Sequence, residues 1–163
     1  MKYNNQKRGF ALIEIIVGSA IAIGVFLALG SIGKYSLLLV TEANLRVRSS
    51  FLAAEGVEAV KIMRDTSWLK NIATLNPGTA YYLSFATSTN MWATSTAPAL
   101  IDGIFTRTVT LQNVSRDASD RIIASGGTND PNTKKVTATV SYSVRGQSRQ
   151  DSIATYMTNL FNN

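Results

Sequence analysis

The chain opens polar and basic as far as Arg8. It turns apolar at Phe10 and stays so to Gly33 with a single charge, Glu14. Between Ile15 and Gly33 only Ile, Val, Ala, Leu, Phe, Gly and Ser occur. That run approaches the ~20 residues a helix needs to cross a bilayer. It exceeds the roughly 7–15 residue apolar core of a secretory signal. From Lys34 the pattern becomes mixed. Leu45, Leu52, Ala59, Val60 and Met63 fall on one helical face, while Arg46, Arg48, Glu55, Glu58 and Lys61 fall elsewhere. No Pro appears before Pro77. The pattern predicts one helix over 10–64, with 10–33 as its membrane segment. At ~1.5 Å per residue it would form a rod on the order of 80 Å. A coiled coil is the alternative for the outer half, but the apolar stripe there is short. Gly56 reads as a local soft spot or as a place where a strand backbone comes close.

Beyond Asp65 the residues shift to Thr, Ser, Asn and Gly, which marks a head over 65–163. Asn76-Pro77-Gly78 is a turn. Tyr81, Leu83 and Phe85 line one side of a short strand, and Ala86–Pro98 reads as a Ser/Thr-rich loop with Trp92 as its anchor, folded back or exposed for binding. Phe105, Val109 and Leu111 alternate with Thr106, Thr108 and Thr110, and Arg107 interrupts the apolar side. Val136, Ala138, Val140, Tyr142 and Val144 alternate with Thr and Ser, as in a half-buried antiparallel strand. Arg145-Gly146-Gln147 is a turn, and Ser152–Met157 returns with Ile153 and Met157 inward. Asp120–Ser125 is a weaker strand candidate. The expected fold is α+β: a long N-terminal helix, membrane-spanning in its first half, packed against a small antiparallel β-sheet head.

Composition narrows the chemistry. The 163 residues carry a net charge of +6 and neither Cys nor His. Disulfides, Cys nucleophiles, Ser-His-Asp triads and the usual zinc sites are therefore excluded. Lys2, Lys7 and Arg8 supply half of the positive excess, and they read as an orientation signal that keeps the N-terminus inside. The remainder is too small to argue for nucleic-acid binding by itself.

Glu14 is the informative charge. An acid in a membrane-length helix costs about 2.5 to 3.5 kcal/mol at the bilayer centre and less toward its ends, so it marks a functional position whose partner must be found. An ordinary signal peptide cut near Ala28-Leu29-Gly30 is the competing reading, against which Glu14 and the length of the run both argue. The string KRGFALIEIIVGSAIAIGVFLAL resembles the class III signal of type IV pilins and type II secretion pseudopilins. The resemblance covers about the first quarter of the chain and lies in the set of features taken together: basic leader, Gly, Phe, one Glu and a long apolar helix. It implies a leader over 1–9 cut between Gly9 and Phe10 by a membrane prepilin peptidase, and N-methylation of Phe10. It also implies a head of the α+β kind already expected.

A free amine at Phe10 would stay charged, and in a low-dielectric surround it can pair with the Glu14 carboxylate. Drawn from a neighbouring subunit, the amine would set the stagger between subunits. An intramolecular pair, or a carboxylate at the headgroup interface, is the alternative. Gly18, Gly24, Gly30 and Gly33 allow close helix approach. Gly30–Gly33 is either a melting or kinking site or plain packing glycines. Many major pilins have a Pro nearby, where this chain has Ser31.

The head offers little chemistry. Glu55 and Glu58 read as solvated helix charges, with Glu58 able to meet Lys61, rather than as an acid–base pair. Asp117, Asp120, Asn129, Asp130 and Asn132 are oxygen-rich, as in the calcium loops of some pseudopilins, but their spacing matches no EF-hand and turn chemistry explains them. No metal, cofactor or catalytic residue is expected. Without Cys the disulfide-bounded loop of major pilins cannot form, which leans toward a pseudopilin or minor pilin. Arg145 and Arg149 read as surface charges or as contacts for DNA or an acidic partner.

Three functions compete. The first is a structural filament subunit of the inner membrane, head outside the cytoplasm, assembled through packed Phe10–Val40 helices. Its partners would be other pilin or pseudopilin subunits, prepilin peptidase, the inner-membrane assembly platform and, before assembly, lipid. The second is a tip module for DNA uptake or adhesion. The third, a tethered enzyme, lacks any supporting constellation.

Overall fold

The computed structural model describes residues 6–163, with side chains from residue 12 onward. Helix α1 runs from Gln6 to Thr66. It begins before Phe10 and ends two residues past Arg64. It passes through Gly30–Gly33 as unbroken helix, so the melted turn expected as one option is not seen. The chain divides into two compact units, Met1–Asn44 and Leu45–Asn163.

In the first unit α1 exposes its apolar side chains, among them Ile15, Phe26, Leu29 and Leu37. Three hydroxyls there turn back on their own helix: Ser19 donates to the Ile16 carbonyl, Ser31 to Leu27 and Thr41 to Leu37, each at 2.9 Å. Bonding within the preceding turns satisfies a polar group without any outside partner. The segment is long and apolar enough to cross a membrane.

The second unit joins the last turns of α1, a short helix α2 (Trp68–Asn71) and an antiparallel sheet. The strands are β1 (Ala80–Ala86), β2 (Met91–Ser95), β3 (Leu100–Ile101), β4 (Phe105–Arg116), β5 (Ile122–Ile123), β6 (Thr128–Val144) and β7 (Gln147–Thr158). Their order is β2-β1-β4-β6-β7, with β3 and β5 paired to the ends of β4. One long helix against a seven-stranded antiparallel sheet is the expected α+β arrangement.

The two-residue periodicity of the strands sorts the sheet faces. Phe105, Val109 and Leu111 of β4, and Val136, Ala138, Val140 and Tyr142 of β6, are buried on the inner face. They meet Ala53, Val57, Ala59, Val60 and Met63 of α1 in two adjoining clusters. The outer face carries Thr106, Thr108, Thr110, Thr137 and Thr139. Leu45 and Leu52 only flank the core.

At Gly56 the helix and the sheet come close. A Cβ there would meet Arg107 Cδ at 3.1 Å and the Ala138 Cβ at 3.2 Å. Strand side chains rather than strand backbone come close, which answers the question Gly56 raised.

Several boundaries differ from expectation for local reasons. The Ser/Thr-rich stretch holds β2, paired to β1 with Phe85 opposite Trp92. Phe85 is half-exposed, and its ring meets Trp92 edge-on at 5.4 Å. Strand β6 begins well before Val136, because a register shift at Asn113/Val114 lets Pro131 and its neighbours bulge out without breaking the pairing. The β6–β7 hairpin closes through Arg145 (φ 52°) and Gly146 (φ 77°), with Val144 opposite Gln147. Two left-handed residues in a two-residue loop match the twist of the strands. Ile153, expected inward, is 36 % exposed, because β7 is an edge strand. At the chain's end Asn163 accepts main-chain hydrogen bonds from Trp68 and Leu69, each at 3.0 Å.

Replacing Gly56 by Val should lower the thermal midpoint of unfolding. Overpacking of this kind costs about 1–3 kcal/mol, and the valine side chain enters a space already filled by Arg107 and Ala138. Circular dichroism melts of Gly56→Val against the parent chain check this.

Candidate functional site

Lys2 lies outside the described residues, as do the side chains of Lys7, Arg8, Gly9 and Phe10; the last four sit on the first turns of α1. Glu14 is exposed on the same helix, one turn past Phe10. Its flanking residues Ile13, Ile15, Ile16 and Val17 are all exposed hydrocarbon. Among the described residues none forms an ion pair with Glu14. The helix thus presents one carboxylate within an apolar sleeve.

In the head, Arg107 lies on the apolar side of β4 as expected, between Phe105 and Val109, and is only 5 % exposed. Its stem crosses Gly56. Its Nη1 donates to Glu55 Oε2 at 2.8 Å and to the Leu52 carbonyl at 3.3 Å. The guanidinium also lies over the Trp92 ring, 5.3 Å from its centroid. The absent side chain at residue 56 leaves room for this, which is a signal the sequence did carry. Arg107 Nε is buried without a hydrogen-bond partner.

The Glu55/Glu58 pair is divided between two tasks: Glu55 answers the strand, and Glu58 pairs with Lys61 at 2.6 Å along the helix as expected. Trp92 packs back on the core rather than standing free. A cavity of about 160 Å³ opens beside it, against Ile62, Met63 and Asn71.

The oxygen-rich corner is organised by guanidinium groups. Arg116 Nε binds Asp130 Oδ2 at 2.7 Å, and its Nη1 donates to the Asp120 carbonyl at 2.8 Å. Asp117 binds Arg121 at 2.8 Å and accepts main-chain bonds from Ser119 and Arg121. Among the described residues no cluster of acidic groups is arranged to hold a metal. The Thr133 hydroxyl, the Arg116 guanidinium and the Asn132 N–H hold the Asp130 carboxyl below the usual carboxylate range. The Arg121 and Ser119 N–H groups, with the Arg121 guanidinium, do the same for Asp117. The Asp130 carboxylate in turn raises Arg116. Arg145 stands exposed at the hairpin tip, and Arg149 lies on β7.

Comparison of the chain with protein-family models, with curated proteins and with solved structures finds no match.

Two outcomes follow from these ion pairs. Glu55→Ala should destabilise the head by about 1–2 kcal/mol, less than for a fully buried pair because water reaches the half-exposed glutamate. Combining it with Arg107→Met should recover most of that loss, since an apolar replacement removes the unpaired charge; denaturant unfolding of the single and double variants measures both.

The depressed carboxyls of Asp117 and Asp130 add stability that is complete above their unfolded value of about 3.9. It fades as pH falls through their lower folded values. Asp130→Asn should therefore cost stability at neutral pH and converge with the parent chain in strong acid. Melts across the acid range test this.

Proposed function

We propose that this chain is a structural subunit of a type IV pilus-like filament or secretion pseudopilus. The observation that supports it best is the order of features along one helix: basic residues, Gly9, Phe10, Glu14, then apolar residues to Gly33. The lone carboxylate exposed on a membrane-length helix is consistent with that order.

On this reading prepilin peptidase removes residues 1–9 and Phe10 is methylated. The precursor waits in the inner membrane with its head outside the cytoplasm. The assembly platform then draws it from lipid into a polymer with other subunits. The amine of Phe10 in one copy meets Glu14 in the next. Each charge relieves the burial penalty of the other, and the pair fixes the axial step. Packing of small and apolar side chains supplies the remaining contact.

Mass spectrometry of the protein isolated from its native membrane should find a mature chain beginning with N-methyl-Phe10. Glu14→Ala should be processed as usual yet enter filaments at least tenfold less, because an amine left unpaired among apolar helices costs about 3 kcal/mol or more. Filament shearing and electron microscopy read this out. Normal filaments from Glu14→Ala, or a mature chain that keeps its first residues, would overturn the reading.

A further inference from the structure

The outer face of the sheet holds a groove that the filament reading does not use. Gln112 of β4, Lys135 of β6 and Tyr156 of β7 stand opposite one another in register. All three point outward, side by side at the ~4.8 Å spacing of adjacent strands. Beside them β5 pairs with the end of β4 and brings Ile122 and Ile123 to the groove. With Asn113 these residues line a cavity of about 200 Å³.

The side-chain groups are chemically unspent. Gln112, Lys135 and Tyr156 make no side-chain hydrogen bond or ion pair among the described residues. The neighbouring Lys134 is bound to Asn113 Oδ1 at 2.7 Å, so Lys135 is the cation available in the groove. Tyr156 is 51 % exposed.

We infer that this groove binds an acidic sugar residue of a polysaccharide. An exposed phenol offers a flat apolar face for the C–H side of a pyranose ring and a hydroxyl for its rim. A primary amide both donates and accepts, which suits neighbouring sugar hydroxyls. The uncompensated ammonium of Lys135 selects a carboxylate. Ile122 and Ile123 supply the apolar wall typical of such pockets.

Next to the groove the face continues as paired hydroxyls, Thr110 opposite Thr137 and Thr108 opposite Thr139. None of these four makes a side-chain hydrogen bond among the described residues. A hydroxyl-rich polymer can run along them. Nucleic acid fits less well, because its affinity draws on several phosphate contacts and this groove has one cation.

The test uses the full chain in detergent micelles. An oligogalacturonate, a neutral oligosaccharide of equal length and an oligothymidylate are titrated separately, with saturation-transfer NMR and calorimetry as readouts. The oligogalacturonate should bind, with transfer strongest to protons of a single sugar residue. Tyr156→Ala should weaken it roughly tenfold, the loss of one stacking contact. Lys135→Gln should reduce the preference over the neutral sugar while leaving the melting temperature unchanged. No binding of oligogalacturonate, equal binding of the neutral sugar, binding of oligothymidylate alone, or affinity unchanged in both variants would each overturn the proposal.

Discussion

The head depends on how closely its sheet can approach the helix. Ser49, Ala53, Gly56 and Val60 recur about one helical turn apart on the buried side of α1, Ser49 towards β7 and Gly56 towards β4 and β6. Their small size draws the inner face of the sheet onto the helix, so that Phe105, Val109, Val136 and Val140 are fully enclosed. Bulk comes from the strands, and room comes from the helix. Arg107 uses the deepest part of that room, where its stem packs and its charge reaches back to Glu55 at the rim. Removing the space displaces both the hydrocarbon and the ion pair.

The edges of the sheet follow from the same arrangement. Strands β4 and β6 are central and bury every second residue over 105–111 and 136–142. Strand β7 lies at the margin, where only Met157 is fully covered and Asp151 reaches the buried Ser49 by a hydrogen bond. The opposite margin is closed by β2, whose Trp92 folds over Arg107 and the core. A charged side chain under an aromatic ring can stay in the interior because the guanidinium keeps both a carboxylate and a π face.

The elements with strong periodicity were readable directly. The alternation from Val136 to Val144 and the Arg145-Gly146 turn named β6 and its hairpin, and the unbroken run to Arg64 named α1. What could not be read was set by partners distant in sequence. Trp92 lies in a stretch without clear alternation and becomes a strand because Phe85 and its neighbours pair with it. Arg107 looks like an error in an apolar face until Gly56 and Glu55 are placed beneath it. The length of β6 depends on a bulge opposite Asn113 that lets a proline sit inside a strand. The groove at Gln112, Lys135 and Tyr156 exists only through register across three strands. By contrast, Gly9, Phe10 and Glu14 form a local pattern, so that reading rests on the sequence alone.

The hydroxyls along the first half of α1 have a mechanical consequence. Ser19, Ser31 and Thr41 spend their donors on their own carbonyls. Whatever lies against residues 15–33 finds almost no directional bonds, only oily contact that tolerates sliding and rotation. On the proposed filament reading, alignment between copies would then rest mainly on Glu14. A helix of that kind would glide past other copies at low friction and still lock at a single notch.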